Sequence, residues 1–372
     1  MTSDRMEVFA RCRRRAPALA ALLLALCACR PAPLPEPQDG EWPRATPESQ
    51  GLRGEVIARY SEAAAGGAYG AVHSFLVVRR GFLVHESYFA GHDRDQLEHV
   101  YSVTKTVTAL LVGIALEQGR LGGLGDRLLS FFPEYLPAAH MDERKAAVDL
   151  EDLLAMRAGF LWDEESRPVD SPLNSLFALY DAPDWYRFLL DVPMARPPGA
   201  AFTYDSGCSV LLGGVLSRAT GSPARDFAAA SVFAPIGIER FQWDDGSPDA
   251  CNTGWGLWLR PLDMARIGQL LLRQGSWQGS AVAPAAWVRE MFMPRSLLGG
   301  GFAYGYQTWL MPLAPGSPAG QYGIQVAWGY GGQFIFIVPA LDMVVVSTAG
   351  NFLGDGGAID FIQALLAEAV AD

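Results

Sequence analysis

A serine and a lysine three residues apart, Ser102 and Lys105, are the side chains in this sequence best suited to chemistry. Side chains at this spacing at the start of a helix lie on one face, within reach of each other. A buried lysine loses its proton readily, and the neutral amine then accepts the proton of a neighbouring hydroxyl. The pair therefore predicts a serine nucleophile with a lysine base. Taken alone, the motif also suits an N-cap serine followed by a first-turn lysine.

Lysine is rare in this chain, which favours the catalytic interpretation. Only two of the 29 basic residues are lysines, Lys105 and Lys145, and the other 27 (29 − 2) are arginines. Arginine stays protonated at any accessible pH, so a lysine kept against this bias indicates a function that needs a neutral amine. Lys145 lies in the polar stretch Met141–Lys145 and is interpreted as a solvated surface charge.

Tyr204 and Ser206 form the second candidate motif, shortly after the turn-forming Pro197–Gly199. A phenol beside a protonated lysine is expected to have a lowered pKa, and the phenolate then carries protons between the serine, the leaving group and water. Ser206 is expected to hydrogen-bond the lysine or the substrate. The alternative is a half-buried tyrosine that precedes a helix N-cap.

A glycine-rich turn followed by Gln333 forms the third motif. Glycine at a strand edge lets a substrate approach the backbone closely and leaves an N–H free for it. The backbone N–H groups of Ser102 and Gln333 are therefore expected to form an oxyanion hole, and Tyr330, Gly331 and Gly332 are expected to contact the substrate. A plain turn between strands is the alternative.

Other catalytic systems fit the sequence poorly. It contains no G-x-S-x-G nucleophile elbow, and the last of its five histidines is His140, which excludes the late histidine of α/β-hydrolases. Phosphate-binding and dinucleotide-binding glycine patterns are absent, as are C-x-x-C and histidine-rich metal spacings. We expect no cofactor and no metal.

The elements that must position these residues divide the chain into strand-rich ends and a helical middle. Strands are predicted at Val72–Val78, Phe82–Phe89, Tyr304–Met311, Tyr322–Trp328, Gln333–Val338 and Met343–Thr348. Helices are predicted at 52–65, from Ser102 to about Gln118, and at Leu150–Ala158, Trp185–Leu190, Val210–Ala219, Asp263–Gln274 and Ala358–Val370.

This pattern predicts one β-sheet that is built from both ends of the chain and interrupted by a helical insertion. The predicted hydrolase domain covers residues 48–372, with a sheet part at 48–118 and 296–372 and a helical part at 119–295. Loops such as Phe160–Leu173 and Leu297–Phe302 are expected to provide the walls of the substrate pocket, and Trp162, Trp185 and Trp328 either line it or pack elsewhere.

The N-terminus is interpreted as a lipoprotein-type signal peptide over residues 1–28. A basic patch precedes a short apolar stretch, and the sequence up to Cys29 resembles a lipobox, so Cys29 is the expected site of lipidation. A conventional cleavage is the alternative. Residues 29–47, rich in proline, are expected to form a tether. We expect secretion across the inner membrane of a bacterium and anchoring on the periplasmic side of the envelope.

Charge and cysteine content limit the partners. Removal of residues 1–28 leaves 24 basic and 38 acidic residues, a net charge of −14 (24 − 38). Nucleic acid is therefore excluded as a partner, and membrane contact is expected through the lipid anchor only. Cys208 and Cys251 remain in the predicted domain, and a disulfide and two buried thiols are equally open alternatives.

The motifs together resemble the serine β-lactamase-like family, from about Pro47 to the C-terminus. This family includes class C β-lactamases, D-alanyl-D-alanine carboxypeptidases, family VIII esterases and 6-aminohexanoate-dimer (nylon oligomer) hydrolases, and the last branch is the nearest. The resemblance is carried by Tyr101–Lys105, Pro198-Gly199 with Tyr204–Gly207, Gly254–Leu257 before Asp263–Ala265, and Gly331–Ile335.

The resemblance implies an α/β (α+β) fold in which an antiparallel β-sheet is flanked by helices and interrupted by an all-helical subdomain. It also implies a hydrolase that forms an acyl-enzyme on Ser102, with Lys105 as base, Tyr204 as second proton carrier and an oxyanion hole made by the backbones of Ser102 and Gln333. One departure bears on the substrate. Tyr330 stands where β-lactamases and carboxypeptidases carry a lysine or histidine that binds the substrate's carboxylate. The expected substrate is therefore a small ester or a linear amide.

Two alternatives to this function remain open from the sequence. One is a β-lactamase or D,D-carboxypeptidase that binds its anionic substrate through an arginine such as Arg295. The other is a non-catalytic lipoprotein that binds peptidoglycan fragments or peptides.

Overall fold

Short strands and helices alternate along the part of the chain that the computed structural model describes, residues 35, 37, 41–247, 250–313, 323–353 and 357–370. The predicted signal peptide and Cys29 lie outside these residues, as does most of the predicted tether. Residues Pro35–Asp372 belong to one compact unit. None of the helices in the described ranges combines the length and the apolar character that a membrane crossing requires.

The strands cluster towards both ends of the described chain. They are β1 (Val72–Arg79), β2 (Phe82–Tyr88), β3 (Glu98–His99), β4 (Gln242–Trp243), β5 (Leu257–Leu259), β6 (Ser276–Trp277), β7 (Ser280–Ala281), β8 (Ser296–Leu297), β9 (Ala303–Tyr304), β10 (Trp309–Met311), β11 (Ile324–Gly329), β12 (Gln333–Val338) and β13 (Met343–Ala349).

Eight of these strands form one antiparallel sheet in the order β2-β1-β13-β12-β11-β10-β9-β8. The first and last strands therefore meet in its interior, where β1 pairs with β13 from Val72↔Ala349 to Arg79↔Met343. The predicted antiparallel sheet built from both ends of the chain is confirmed. The predicted strand Tyr304–Met311 is two strands, β9 and β10, because the chain turns at Gln307, which has a positive φ of 55°.

The helices occupy both faces of the sheet and the middle of the sequence. The α-helices are α1 (Gly54–Ala65), α2 (Val103–Glu117), α3 (Glu143–Ala147), α4 (Leu150–Leu154), α5 (Ser175–Tyr180), α6 (Trp185–Asp191), α7 (Ser206–Thr220), α8 (Ala224–Ala228), α9 (Pro261–Leu272), α10 (Ala285–Met291) and α11 (Ala358–Ala369). Helix α4 ends earlier than the predicted Leu150–Ala158, since Met156 and Gly159 adopt positive φ angles of 54° and 84°.

Side chains that alternate along the strands pack into two apolar cores, one on each face of the sheet. In β1, Leu76 and Val78 belong to the larger core with the central helices, whereas Phe75 and Val77 belong to the core covered by α1 and α11. Such alternation is what the two-residue period of a strand requires. Helix α9 lies close against the sheet at Gly268, where a Cβ would lie 2.6 Å from a methyl group of Val344.

Helix α2 is apolar on all sides and is surrounded by protein. Every residue from Val103 to Ala115 is buried, as expected for a helix without a polar face. Gly113 lets the indole of Trp287 pack directly on the helix, and the Trp287 Nε1–H donates to the Ala109 carbonyl at 2.9 Å. This rigid helix carries Ser102 and Lys105 at its N-terminus.

Three residues left open or misjudged from the sequence have clear places in the structure. Cys208 and Cys251 are both buried free thiols. The interpretation of Lys145 as a solvated surface charge is wrong: the side chain is 1% exposed, and its ammonium donates to the carbonyls of Ala139 and Leu190, both at 2.7 Å. A compact ammonium reaches two carbonyls in a space that the wider guanidinium does not fit.

Candidate active site

Ser102 lies in the turn that begins helix α2, immediately before its first residue Val103. The preceding residue, Tyr101, has a φ of 45°, a left-handed conformation that is rare for a bulky side chain. Its strain turns the chain sharply from β3 into the helix. The side chain of Thr104 fixes the same turn, because its hydroxyl donates to the Tyr101 carbonyl at 2.6 Å and accepts from the N–H of Leu257 at 3.1 Å.

Lys105 extends from the first turn of α2 to Ser102 and is almost fully buried. Its Nζ lies 2.9 Å from the Ser102 Oγ and 2.8 Å from the carbonyl oxygen of Gly254, to which it donates. Burial lowers the pKa of this ammonium to about 8, against the opposing attraction of Glu164 and Asp205. A lysine with this pKa is neutral in a substantial fraction of molecules at mildly alkaline pH, with its lone pair directed at a hydroxyl.

Tyr204 completes a cluster with the serine and the lysine. The Lys105 Nζ lies 5.1 Å from the centre of its ring. Burial raises the pKa of the Tyr204 phenol far above its usual value, and the negative charge of Glu164 raises it further, while a side-chain hydrogen bond with Ser102 opposes this shift. The expected lowering of this pKa is therefore wrong for the free protein, and Tyr204 holds its proton as a neutral phenol.

Glu164, which the sequence did not single out, anchors the second motif. Its carboxylate accepts from the backbone N–H and the hydroxyl of Ser206, both at 2.8 Å, and from the Trp162 Nε1–H at 2.7 Å. The hydroxyl of Ser206 thus donates to Glu164 rather than to Lys105. Its buried position at the start of α7 places the preceding Tyr204 next to the lysine.

The glycine-rich third motif forms the tight turn between β11 and β12, with Gly329 paired to Gln333. Gly331 and Gly332 have φ angles of 80° and 96°, which side chains with a Cβ rarely adopt. A Cβ on Gly331 would lie 2.5 Å from the ring of Phe352. The Gln333 side chain is buried, its amide donates to the Ala349 carbonyl, and its Oε1 atom has no hydrogen-bond partner among the described residues.

Tyr330 lies at the entrance of the site and is half exposed. Its hydroxyl donates to the Phe352 carbonyl at 2.6 Å, and its ring packs edge-on against Tyr101 with centroids 5.7 Å apart. The position that carries a cation in β-lactamases is therefore an aromatic contact here. Arg295, the alternative cation, is paired with Glu290 and lies over the ring of Tyr306, and it is not among the pocket-lining residues.

These residues surround a cavity of about 300 Å³ that contains two carboxylates and several aromatic rings. Trp309 packs against both Tyr204 and Trp328, with ring centroids 5.7 and 5.4 Å apart. Of the tryptophans considered from the sequence, Trp328 lines the cavity, whereas Trp162 and Trp185 belong to the core. The cavity is lined by Ser102, Glu164, Glu165, Tyr204, Trp309, Trp328 and Tyr330.

An antiparallel sheet with a helical insertion, and a serine at the start of a buried helix, are features of the β-lactamase-type serine hydrolase fold. The chain belongs to the Beta-lactamase family, whose model matches residues 55–367. The resemblance seen in the sequence is thereby confirmed, and the chain has a hydrolase fold.

Two curated proteins illustrate the range of relatives. An uncharacterized protein of Mycobacterium tuberculosis is 26% identical over 240 residues, which cover 53% of this chain and 59% of that protein. The match thus spans little more than half the length of the mycobacterial relative. The 6-aminohexanoate-dimer hydrolase of Paenarthrobacter ureafaciens is 22% identical over 296 residues, 73% of this chain and 71% of that enzyme.

Solved structures share the fold over most of the chain. A Bacillus anthracis protein described as a candidate 6-aminohexanoate-dimer hydrolase superposes with a TM-score of 0.71 at 20% identity, covering 90% of this chain and 88% of that one. EstCE1, a hydrolase with promiscuous acyltransferase activity, superposes with a TM-score of 0.70 at 17% identity, covering 86% and 99%. Superpositions at such low sequence identity establish a shared fold and do not define the substrate of this chain.

Proposed function

We propose that this protein is a serine hydrolase that cleaves small esters or linear amides through an acyl-enzyme on Ser102. The observation that supports it most is the distance of 2.9 Å between the Lys105 Nζ and the Ser102 Oγ, in a site where burial lowers the pKa of the amine to about 8. A base whose pKa lies near the working pH accepts a proton efficiently in a transition state.

The proposed acylation begins with neutral Lys105. Its lone pair accepts the proton of the Ser102 hydroxyl while the Oγ attacks the substrate carbonyl, and the Gly254 carbonyl keeps the amine in place by accepting one of its remaining N–H groups. The carbonyl carbon gains the bond to Oγ, and its oxygen takes the negative charge. Collapse of this intermediate breaks the bond to the leaving group, which takes a proton from Tyr204, the neutral phenol of the site.

The negative oxygen requires donors that are in place before the reaction. The N–H of Ser102 donates to no backbone acceptor among the described residues and points from the start of a helix, where the dipole favours negative charge. We assign it as one donor and the N–H of Gln333 as the other. In deacylation, water attacks the acyl-enzyme and gives a proton to the Tyr204 phenolate left by acylation. The bond between the acyl carbon and Oγ then breaks, protonated Lys105 returns its proton to the Ser102 Oγ, and the acid leaves the site.

The charge of the pocket supports a substrate without a carboxylate at the entrance. Glu164 and Glu165 line the cavity, and Lys105 lies behind the serine rather than at the mouth. Tyr330 offers no positive charge in the place of the family's cation. A desolvated carboxylate without a cationic partner loses roughly 2–5 kcal/mol of binding free energy. Aromatic rings along the wall suit an apolar acyl or leaving group instead.

Active-site labelling and a substrate panel test this proposal. A fluorophosphonate should modify the purified protein once, at Ser102, and should leave a folded Ser102→Ala variant unlabelled. p-Nitrophenyl esters of short acids or linear amides should be turned over, and nitrocefin poorly or not at all. Labelling elsewhere, or none in the wild type, would rule out the nucleophile. Efficient nitrocefin hydrolysis without esterase or amidase activity would rule out the substrate class.

The variant Tyr330→Lys separates the nucleophile from the substrate preference. Adding a cation at the entrance should raise kcat/KM for nitrocefin by roughly tenfold, about 1.4 kcal/mol of transition-state binding. The same variant should label with the fluorophosphonate as the wild type does, because Tyr330 does not touch the Ser102–Lys105 pair. No gain on nitrocefin would show that the missing cation does not set the preference.

A further inference from the structure

Three side chains outside the catalytic cluster converge on one point at the edge of the sheet. The Nδ1 atoms of His73 and His92 lie 3.2 and 2.6 Å from the two carboxylate oxygens of Glu98. One ligand atom from each residue lies within 4.8 Å of the others. We propose that these residues bind a divalent transition-metal cation, with Zn²⁺ as the ion that the ligand set fits best.

The fold brings the three residues together although the sequence separates them. His73 lies in β1, and Phe89 at the end of the following hairpin donates its N–H to the His73 carbonyl at 2.8 Å. The chain then turns, with the N–H of His92 donating to the Phe89 carbonyl at 3.0 Å, so that the two imidazoles stack at 3.6 Å. Glu98 opens β3 opposite them.

The local packing selects which nitrogen is available. The Nε2 atom of His73 lies so close to Gly350 that a Cβ atom on this glycine would be 3.1 Å from it. Its Nδ1 therefore faces the open side of the cluster, towards Glu98. All three side chains are 11–20% exposed, which leaves a path for a small cation while shielding the site from bulk water.

The ligand distances are close to those of a metal centre. With metal–ligand bonds of 2.0–2.1 Å, adjacent ligand atoms of a tetrahedral ion lie about 3.3 Å apart. The His73–Glu98 pair already has a separation of 3.2 Å, the His92–Glu98 pair at 2.6 Å must open by about 0.7 Å, and no pair lies beyond 4.8 Å, so none has to close by more than about 1.5 Å.

The chemistry of the cluster favours a cation. Two neutral imidazoles and one carboxylate carry a net charge of −1, and a His₂Glu set with water as fourth ligand is an established coordination of Zn²⁺. In the free protein one carboxylate serves two imidazoles at once. A metal ion between them would give all three groups a common partner.

Binding would join three segments of the chain next to the nucleophile. The cluster connects β1, the turn after β2 and β3, and β3 leads through Tyr101 into Ser102. Because the ion binds the folded chain and not the separated ligands, it should raise the unfolding temperature, and above the Kd this rise should grow with the logarithm of the free metal concentration. This effect does not depend on catalysis, so it does not rest on the proposed hydrolase function.

The test is a titration with the metal alone. The full chain, treated with a chelator and dialysed, is titrated with ZnCl₂ by isothermal calorimetry, and Co²⁺ is added separately to record the visible absorption of a tetrahedral site. We expect one Zn²⁺ per chain with micromolar or tighter affinity, a rise in unfolding temperature, and a Co²⁺ spectrum that Zn²⁺ abolishes.

Variants assign the ligands. His92→Ala and Glu98→Gln should each weaken zinc binding at least roughly tenfold. The control is His140→Asn, which should not change binding. His140 is exposed, and asparagine tolerates its left-handed backbone conformation. Ser102→Ala should bind zinc like the wild type. Failure of the wild type to bind one equivalent would overturn the proposal, as would unchanged binding in the folded His92→Ala variant, whose side chain lies in a turn.

Discussion

The two lysines of the chain lie in two sites that are alike in exposure and different in partners. Each side chain is 1% exposed, and burial lowers the pKa of each ammonium. Lys145 donates to two backbone carbonyls, whereas Lys105 donates to one carbonyl and lies against the hydroxyl of Ser102. A carbonyl has no proton to give, so only the amine beside the hydroxyl is placed to act as a base.

In this chain, both of the rare lysines occupy buried sites, and only one of the two sites is suited to catalysis. Both lysines are kept in an arginine-rich chain because both sit in spaces where a compact amine fits. What distinguishes Lys105 is the hydroxyl of Ser102 and the phenol of Tyr204 beside it. Both lysines have carboxylates that oppose the lowering of their pKa, Glu164 for Lys105 and Asp191 for Lys145. A lysine whose ammonium bonds only carbonyls has a structural role.

Exchanging each lysine for arginine tests the difference between the two sites with the largest expected effect. Lys105→Arg keeps the charge and removes the base, so esterase or amidase turnover should fall by roughly 10²–10⁴-fold. Lys145→Arg should leave kcat within about twofold in whatever fraction of the protein folds, because that site holds no reacting group. Steady-state kinetics, with the active fraction counted by fluorophosphonate labelling, measures both.

Circular dichroism of the two arginine variants provides the control for folding. Equal losses of turnover per active site in both variants would contradict the distinction between the two sites. Full activity of Lys105→Arg would remove the lysine from the mechanism.

The pH dependence of turnover tests whether Lys105, and not Lys145, is the base. Only neutral Lys105 accepts the proton of Ser102, so kcat/KM should rise about tenfold per pH unit below pH 8 and level off above it, as the pKa of about 8 implies. The phenol of Tyr204 stays protonated across this window because its pKa is raised. Glu164→Gln removes a charge that stabilises the ammonium, so the midpoint should move to lower pH.

Lys145→Met should leave the midpoint where it is, because Lys145 takes no part in the proton transfer. A profile that is flat between pH 6 and 9, or a midpoint that Glu164→Gln moves upwards, would contradict the assignment of the base.

Unfolding free energies provide the smallest but most direct contrast. Lys145→Met leaves the Leu190 carbonyl without its donor in a buried place and the Ala139 carbonyl without its donor in a partly exposed one. A buried unpaired group costs about 1–3 kcal/mol, so stability at pH 7 should fall by roughly 1–3 kcal/mol. Urea denaturation followed by circular dichroism measures the change.

Lys105→Met should change stability much less. The folded protein lowers the pKa of Lys105 from 10.5 to about 8, which destabilises the fold by on the order of 3 kcal/mol below pH 8, and this cost disappears as the pH rises from 8 to 10.5. Removing the amine relieves this cost and offsets the loss of its bond to Gly254. A larger loss in Lys105→Met than in Lys145→Met at pH 7 would reverse the comparison.

Local spacing predicted the parts of the site that lie close together in sequence. Ser102 and Lys105 occupy one helix turn, and the glycines before Gln333 require a turn, so neither depends on distant contacts. The long strands and helices were likewise predicted from their apolar runs, whereas the short strands β3 to β8 were not. That both ends of the chain contribute to one sheet followed from the position of those runs, and the order of the strands in it did not.

Burial and long-range contacts account for what the sequence could not predict. The polar neighbours of Lys145 concealed that Ala139 and Leu190 enclose its side chain. Glu164 lies in a loop recognised only as a wall, and its bond to Ser206 joins residues 42 positions apart. The pKa of Tyr204 depends on how deeply the fold buries it, which a motif does not encode.

The pairing of β1 with β13 has a consequence for how the protein is made. The ribosome completes Arg79 long before Met343, and at 5–20 residues per second the interval is roughly 15–50 s. During that time the first hairpin has a bare apolar edge, because the partner that lies between it and β12 does not yet exist. Assembly must wait for the last strand of the sheet, so the edge of the first hairpin stays unpaired for longer than in a chain whose neighbouring strands follow each other in sequence.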